Sequence, residues 1–171
     1  MDISISVSKN LVGSVGADKY LRIFEYSTNP MKVATFNTPS DTLDTNHKQL
    51  SWYFCKEVMH SVSLHPMGFQ VAVGTREGVK IFYIIEEGIK LAVEISGKIW
   101  KFVRFSNGGN FLAAGNGNNI SIIDPYTFEN LFTLVGHPST VRFLKWTESD
   151  SHLLSNCHHG TNYGWSSNFQ K

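Results

Sequence analysis

One outline recurs four times along the 171 residues, and an internal repeat narrows what a chain can fold into more than any single motif does. Each unit passes from an apolar strand through a polar turn to a strand of small residues, then through a second turn to a β-branched and aromatic strand. The second and third of these strands fall at residues 11–16 and 20–25 in the first unit, 69–74 and 79–83 in the second, 111–115 and 120–124 in the third, and 152–155 and 161–166 in the fourth. The large apolar residue closing each unit is Phe24, Phe82, Ile123 or Trp165, at intervals of 58, 41 and 42. A second ruler, the apolar residue expected to end each inner strand (Val7, Leu64, Phe105 and Trp146), precedes the first by 17, 18, 18 and 19 residues. Two rulers in step over four units imply four related modules, with an insertion of about 16 residues inside the first interval.

The two regular intervals match the period of a four-stranded propeller blade, about 40–45 residues. Period-2 alternation in Tyr20-Leu21-Arg22-Ile23-Phe24 and Leu91-Ala92-Val93-Glu94-Ile95 marks half-buried strands. His65-Pro66-Met67-Gly68, Glu86-Glu87-Gly88 and Ser106-Asn107-Gly108-Gly109-Asn110 supply the turns. Gly13, Ala72 and Ala113-Ala114 keep the second strands slim enough for sheets to stack. No long helical pattern interrupts the series. The expected fold is therefore all-β: a propeller sector of about four four-stranded antiparallel blades. Rings of this kind close with about seven blades within a range of four to eight, so the sector is expected to be an incomplete ring. The expected division is blade 1 at 1–37, an inserted polar surface loop at 38–51, blade 2 at 52–96, blade 3 at 97–135, and blade 4 at 136–171 without its outer strand. The aromatic stretch Trp52-Tyr53-Phe54 admits two readings: the start of the first strand of blade 2, or a partner-facing patch.

Gly136-His137 opens the fourth unit, Val141-Arg142-Phe143-Leu144-Lys145-Trp146 follows, and Trp165 closes it. This resembles a WD repeat, in which a His before the inner strand and a Trp late in the third strand join a buried hydrogen-bond network. The resemblance implies that His137, Trp165 and Trp146 are structural repeat residues. It adds Asp18 at the turn position that commonly carries a buried Asp, a place held by Arg76, Gly117 and His159 in the other units. Residues 63–68, 103–109, 111–114, 128–134 and 159–165 further resemble, in order and spacing, the cilia- and flagella-associated protein 57 family. That resemblance implies tandem WD-repeat propellers and association with axonemal doublet microtubules near inner dynein arms.

Composition removes other classes. Fifteen basic side chains nearly cancel 14 acidic ones, whereas a nucleic-acid reader needs a basic excess. Apolar runs of about five residues fall far short of the ~20 that span a bilayer, and the first residues show no secretory pattern. Cys55 and Cys157 are too few for a disulfide framework, so a soluble intracellular protein is expected. His152, Cys157, His158 and His159 are metal-ligating types, but adjacent His158 and His159 diverge on a strand; a structural turn is the expected reading. Residues 115–119 lead into a strand without a nearby Lys, which suits a tight turn rather than a phosphate cradle. No catalytic motif or paired-carboxylate constellation is present, so neither an enzyme nor a cofactor is expected.

What remains is a scaffold. Trp52, Tyr53, Lys98, Lys101 and Arg104 are the candidate partner-binding residues. The three basic ones, with Arg142 and Lys145, either line a rim that meets an acidic surface such as tubulin tails or are ordinary solvated blade edges. The expectation is a non-enzymatic protein–protein interaction scaffold of the ciliary or flagellar axoneme, in the cytoskeletal part of the cytoplasm. Its expected partners are other axonemal proteins: inner dynein arm components, tubulin, or a chain supplying the remaining blades in a hetero-oligomer.

Overall fold

The computed structural model describes residues 1–26, 47–97 and 100–168. Among these residues, fifteen strands form four antiparallel sheets, each a meander in chain order. The first holds β1 (Asp2–Ser6), β2 (Leu11–Val15), β3 (Tyr20–Tyr26) and β4 (His47–Phe54). The second holds β5 (Ser61–Leu64), β6 (Gln70–Gly74), β7 (Gly78–Ile85) and β8 (Gly88–Ser96). The third holds β9 (Trp100–Phe105), β10 (Leu112–Asn116), β11 (Asn119–Ile123) and β12 (Asn130–Leu134). The fourth has three strands among the described residues, β13 (Val141–Trp146), β14 (His152–Cys157) and β15 (Asn162–Ser166). The sheets stand side by side around part of a ring as the blades of an all-β propeller sector, and the ring is not closed.

Two details differ from the sequence reading. Trp52-Tyr53-Phe54 does not start the second blade: His47–Phe54 is the outer strand of the first sheet, with Tyr20 opposite Phe54 and Arg22 opposite Trp52. The division at residues 51 and 52 is thus replaced by one after β4, and residues 47–51 of the expected loop are strand; its remainder, 38–46, lies outside the described residues. An outer strand is recruited by the free edge of β3, and a long insertion does not prevent that pairing, because loop-closure cost grows only slowly with length. Second, β1 ends at Ser6, and Val7 opens a 3-10 turn (Val7–Lys9) instead of ending the strand.

Strand register makes the blades superimposable residue by residue. Ile5 faces Val12, Leu64 faces Val71, Phe105 faces Leu112 and Trp146 faces Leu153. Each second-strand member in turn faces Phe24, Phe82, Ile123 or Trp165. These positions form one face of every blade, directed at the preceding blade. The opposite face carries the small residues Gly13, Ala72 and Ala113. Apolar side chains meet between consecutive sheets in three cores. The first joins Leu11, Val15, Leu21 and Ile23 to Val62, Leu64, Val71 and Phe82. The second joins Ala72 and Ile81 to Val103, Phe105 and Leu112. The third joins Ala113 and Ile122 to Leu144, Trp146 and Leu153. Large side chains on one blade thus lie over small ones on its neighbour, which gives the close packing that dispersion requires.

Tight turns join inner to second strands. Gly68 and Gly109 adopt φ of 74° and 75° there, and their amides donate to the carbonyls of His65 and Ser106. His65 ties two such turns together. Its Nδ1 accepts from the Met67 amide (3.1 Å), so Nε2–H donates to the Gly109 carbonyl (3.1 Å) and the ring is neutral. Burial holds His65, His60 and His137 below the usual imidazole value of 6.5; around His60 the charges of Lys101 and Arg76 act in the same direction, and at His65 the Gly109 carbonyl opposes it. A group whose folded pKa is depressed binds its proton more readily unfolded, so stability falls as pH drops. The urea midpoint of the chain should therefore decline as pH passes below 6.5.

Candidate interaction surface at the open flanks

The seams between blades share a polar device on the inner strands. Asp2 Oδ2 and Ser4 Oγ of β1 accept from the Val62 and Leu64 amides of β5, at 3.1 and 2.9 Å. Ser61 Oγ and Ser63 Oγ of β5 accept from the Val103 and Phe105 amides of β9, both at 2.9 Å. Short oxygen-bearing side chains at alternate positions therefore satisfy amides at the edge of the next blade, where no strand pairs with them. At the third seam the same positions are Phe102 and Arg104, and the Arg104 carbonyl accepts instead from the Trp146 indole (3.1 Å). The Arg104 guanidinium turns back across the second blade. It donates to Asp2 Oδ2 (2.9 Å) and to the Val62 carbonyl (3.0 Å), stapling the first three inner strands.

Among the described residues, the first sheet presents its equivalent face to no other blade. Ile3 and Ile5 are 56% and 59% exposed, whereas Val62 and Leu64, Val103 and Phe105, and Leu144 and Trp146 at the same positions are buried. Trp52 (58% exposed) and Phe54 extend this face outward, with the Tyr20 ring edge-on to Trp52 at 5.6 Å and tilted against Phe54 at 5.3 Å, and Arg22 lying over the Tyr20 ring. Ile3, Ile5, Trp52 and Phe54 thus make one apolar and aromatic surface on a single sheet face, of the kind that marks an interaction site. At the other end of the sector Phe143 (50% exposed) and Leu154 stand on the outward face of the fourth sheet. Phe143 occupies the position of Ser61 and Phe102, and Leu154 that of Ala72 and Ala113.

The candidate residues named from sequence fall in different places. Trp52 lies on the open flank. Tyr53, its neighbour on the strand, faces the second sheet, half-buried, with its ring 4.8 Å from that of Phe82. Arg104 is engaged in the inter-blade staple, Lys101 is half-buried near His60, and Lys98 lies outside the described residues. Asp18 does not enter a buried network. Its side chain is 47% exposed, accepting from the Tyr20 amide and pairing with Arg22 at 2.5 Å, and Phe24 stands at the Trp165 position. Trp146 stacks on Phe111 at 5.9 Å in the third seam. His152 bonds Ser151, Cys157 is buried, and no group of His, Cys, Asp and Glu among the described residues is placed to hold a metal ion. Sequence reasoning passed over Ile3, Ile5, Phe143 and Leu154, since isolated apolar residues on strands carry no mark of exposure. The alternation Asp2-x-Ser4 and Ser61-x-Ser63 was a legible signal of the seam.

In the fourth blade His137 Nε2 lies 2.7 Å from Ser155 Oγ, which also accepts from the Trp165 indole at 2.8 Å. The Tyr163 ring lies edge-on to His137 at 4.8 Å. No carboxylate reaches the buried His137 Nδ1 among the described residues. Ser155 is thus the joint of this network, and Ser155→Ala leaves the buried His137 and the half-buried Trp165 without their partner. It should cost about 2 kcal/mol, measurable as a lowered urea midpoint, while Ser166→Ala on the exposed end of β15 should leave the midpoint unchanged.

Comparison with known proteins agrees with this geometry. No protein-family profile matches the chain. Cilia- and flagella-associated protein 57 of Mus musculus is 30% identical over 159 residues, covering 93% of this chain and 11% of that protein. Proteins 57 A and 57 C of Tetrahymena thermophila are each 30% identical, over 149 and 166 residues, covering 86% and 90% of this chain. The chain spans about a tenth of the length of these relatives. Among solved structures, the β-propeller domain of Cps50 (Swd1) from Myceliophteria thermophila superimposes with a TM-score of 0.69 over 91% of this chain and 48% of its own, at 16% identity. That likeness fixes the fold.

Proposed function

We propose that the chain is a non-enzymatic protein–protein interaction scaffold of the ciliary or flagellar axoneme, associated with doublet microtubules or inner dynein arms. The observation that carries this reading is the first sheet's open flank, apolar at positions that every other blade buries. A rigid stack of blades holds its outer surfaces and loops in fixed relation, which suits a part that positions other proteins. The ciliary setting is supported by the names of the mouse and Tetrahymena relatives. Towards the axis Arg104 is paired with Asp2, and the groove of about 590 Å³ beside it is lined mainly by serines and apolar groups.

The test is fractionation of isolated axonemes under graded salt, with cross-linking mass spectrometry on the retained fraction. Retention with the doublets after detergent extraction, with cross-links at both terminal blades, is the expected result. Release with the detergent-soluble matrix would overturn the axonemal assignment and favour an adaptor working outside the axoneme.

A further inference from the structure

The third seam leaves open a donor that the other two seams fill. Corresponding bonds close the last three inner hairpins: the amides of His65, Ser106 and Thr147 donate to the carbonyls of Gln70, Phe111 and His152. Hydrogen bonding alternates along an antiparallel pair. Val62, Val103 and Leu144, each three residues earlier, therefore aim N–H and C=O at the free edge of their inner strands. Asp2 Oδ2 accepts from the Val62 amide at 3.1 Å, and Ser61 Oγ from the Val103 amide at 2.9 Å. Phe102 stands at the corresponding position of the third blade and carries no acceptor. Among the described residues, nothing accepts from the Leu144 amide. Leu144 is buried, where an amide without an acceptor is destabilising. A further blade does not relieve it: the acceptor comes from the preceding blade, and for Leu144 that blade is the third, already in place.

Leu144 borders a cavity of about 260 Å³ between the third and fourth blades, walled by Phe105, Phe143 and Trp146 and by two cations, Arg104 and Lys145. Arg104 is engaged with Asp2, whereas Lys145 is exposed and has no ion pair among the described residues. The first seam shows which group such donors hold. Asp2 Oδ2 takes the Val62 amide and the Arg104 guanidinium together, at 3.1 and 2.9 Å, and Leu144 N–H with Lys145 repeats that pairing of an amide with a cation. Bonds of this charge-assisted kind are the strong ones. The cavity is smaller than the ~300 Å³ at which small-molecule pockets begin, and suits a side chain or two. Fifteen basic against 14 acidic side chains disfavour a nucleic-acid backbone as the source of the anion.

We propose that this cavity binds an acidic segment of a partner protein. One carboxylate of the segment accepts from the Leu144 amide and pairs with Lys145, while its methylenes lie against Phe143 and Trp146. The choice of a protein as the ligand rests on the scaffold reading.

The experiment titrates fluorescein-labelled hexaglutamate into the full chain and follows fluorescence anisotropy, with hexaglutamine and a thymidine hexanucleotide as comparisons. Nitrogen–proton NMR of the amides locates the site. The expected result is saturable hexaglutamate binding at least about tenfold tighter than that of hexaglutamine, weakening as salt is added. The Leu144 amide should shift most, and the Val62 and Val103 amides, already bonded, should not move. Lys145→Gln should weaken binding about fivefold, and Lys90→Gln on the exposed side of β8 should leave it unchanged. Phe102→Ser, which offers Leu144 a hydroxyl as Ser61 does Val103, should also weaken it. Its thermal midpoint reports whether the third core survives, and where it does not, the Leu144 shift in the unaltered chain decides. Equal binding of hexaglutamine, tighter binding of the hexanucleotide, an unmoved Leu144 amide or full affinity in Lys145→Gln would overturn the proposal. Any of these in a protein that stays on the axoneme would remove this site and leave the scaffold reading intact, whereas release from the axoneme with hexaglutamate binding preserved would do the reverse.

Discussion

Phe82→Ala should destabilise the chain by about 3–5 kcal/mol, the cost of emptying an aromatic site in a packed core. Phe82 is fully buried, faces Val71 on its own sheet, and touches the Tyr53 ring of the first sheet's outer strand. The vacated space lies at the meeting of two blades and would loosen both. Denaturant unfolding followed by tryptophan fluorescence measures the loss. Phe143→Ala, which removes a similar side chain from the exposed flank of the fourth sheet, should cost less than about 1 kcal/mol in the same assay. A comparable loss at Phe143 would mean that this flank is covered within the isolated chain.

Gly74→Ala should be nearly as damaging through overpacking. A Cβ at Gly74 would stand 2.4 Å from the Trp100 carbonyl and 3.0 Å from Ser61 Oγ. The first contact is backbone and cannot rotate away, so the second and third blades must separate. That separation also strains the Ser61 bond to the Val103 amide. About 3 kcal/mol is expected, at the upper end of overpacking costs. Gly117→Ala gives the comparison. It has open space for the Cβ but a φ of +60°, so only the left-handed backbone penalty of about 1–2 kcal/mol applies. Urea midpoints of the two variants separate the two causes.

Much of the architecture was legible because a repeat states the same thing several times. Two rulers in step fixed the number of modules, and small residues at Gly13, Ala72 and Ala113 announced where neighbouring sheets approach. The outer strand of the first blade was not legible. Trp52-Tyr53-Phe54 has the composition of a strand, but which edge it joins depends on where β3 leaves unpaired groups, a tertiary fact. For the same reason Trp52 and Tyr53 read alike as aromatics although period 2 sends one to the open flank and the other into the core. Arg104 read as a rim cation because its partner, Asp2, is 102 residues away in sequence. Asp18 sits at a turn position shared with the WD pattern, yet a network needs its partners, and the first blade carries Phe24 at the Trp165 position. Open flanks were implied by the expected incomplete ring, but that Ile3 and Ile5 stand on one was not legible, since they differ from Val62 and Leu64 only in what covers them.

Hydrogen exchange of the inner strands, compared between the isolated chain and the axoneme-bound protein, tests the central claim most directly. The account predicts that amides of β1 exchange much faster than those of β5 and β9 in the isolated chain, and slow to match them on assembly. Protection of β1 equal to that of β5 in the isolated chain, or no change in β1 on assembly, would contradict it.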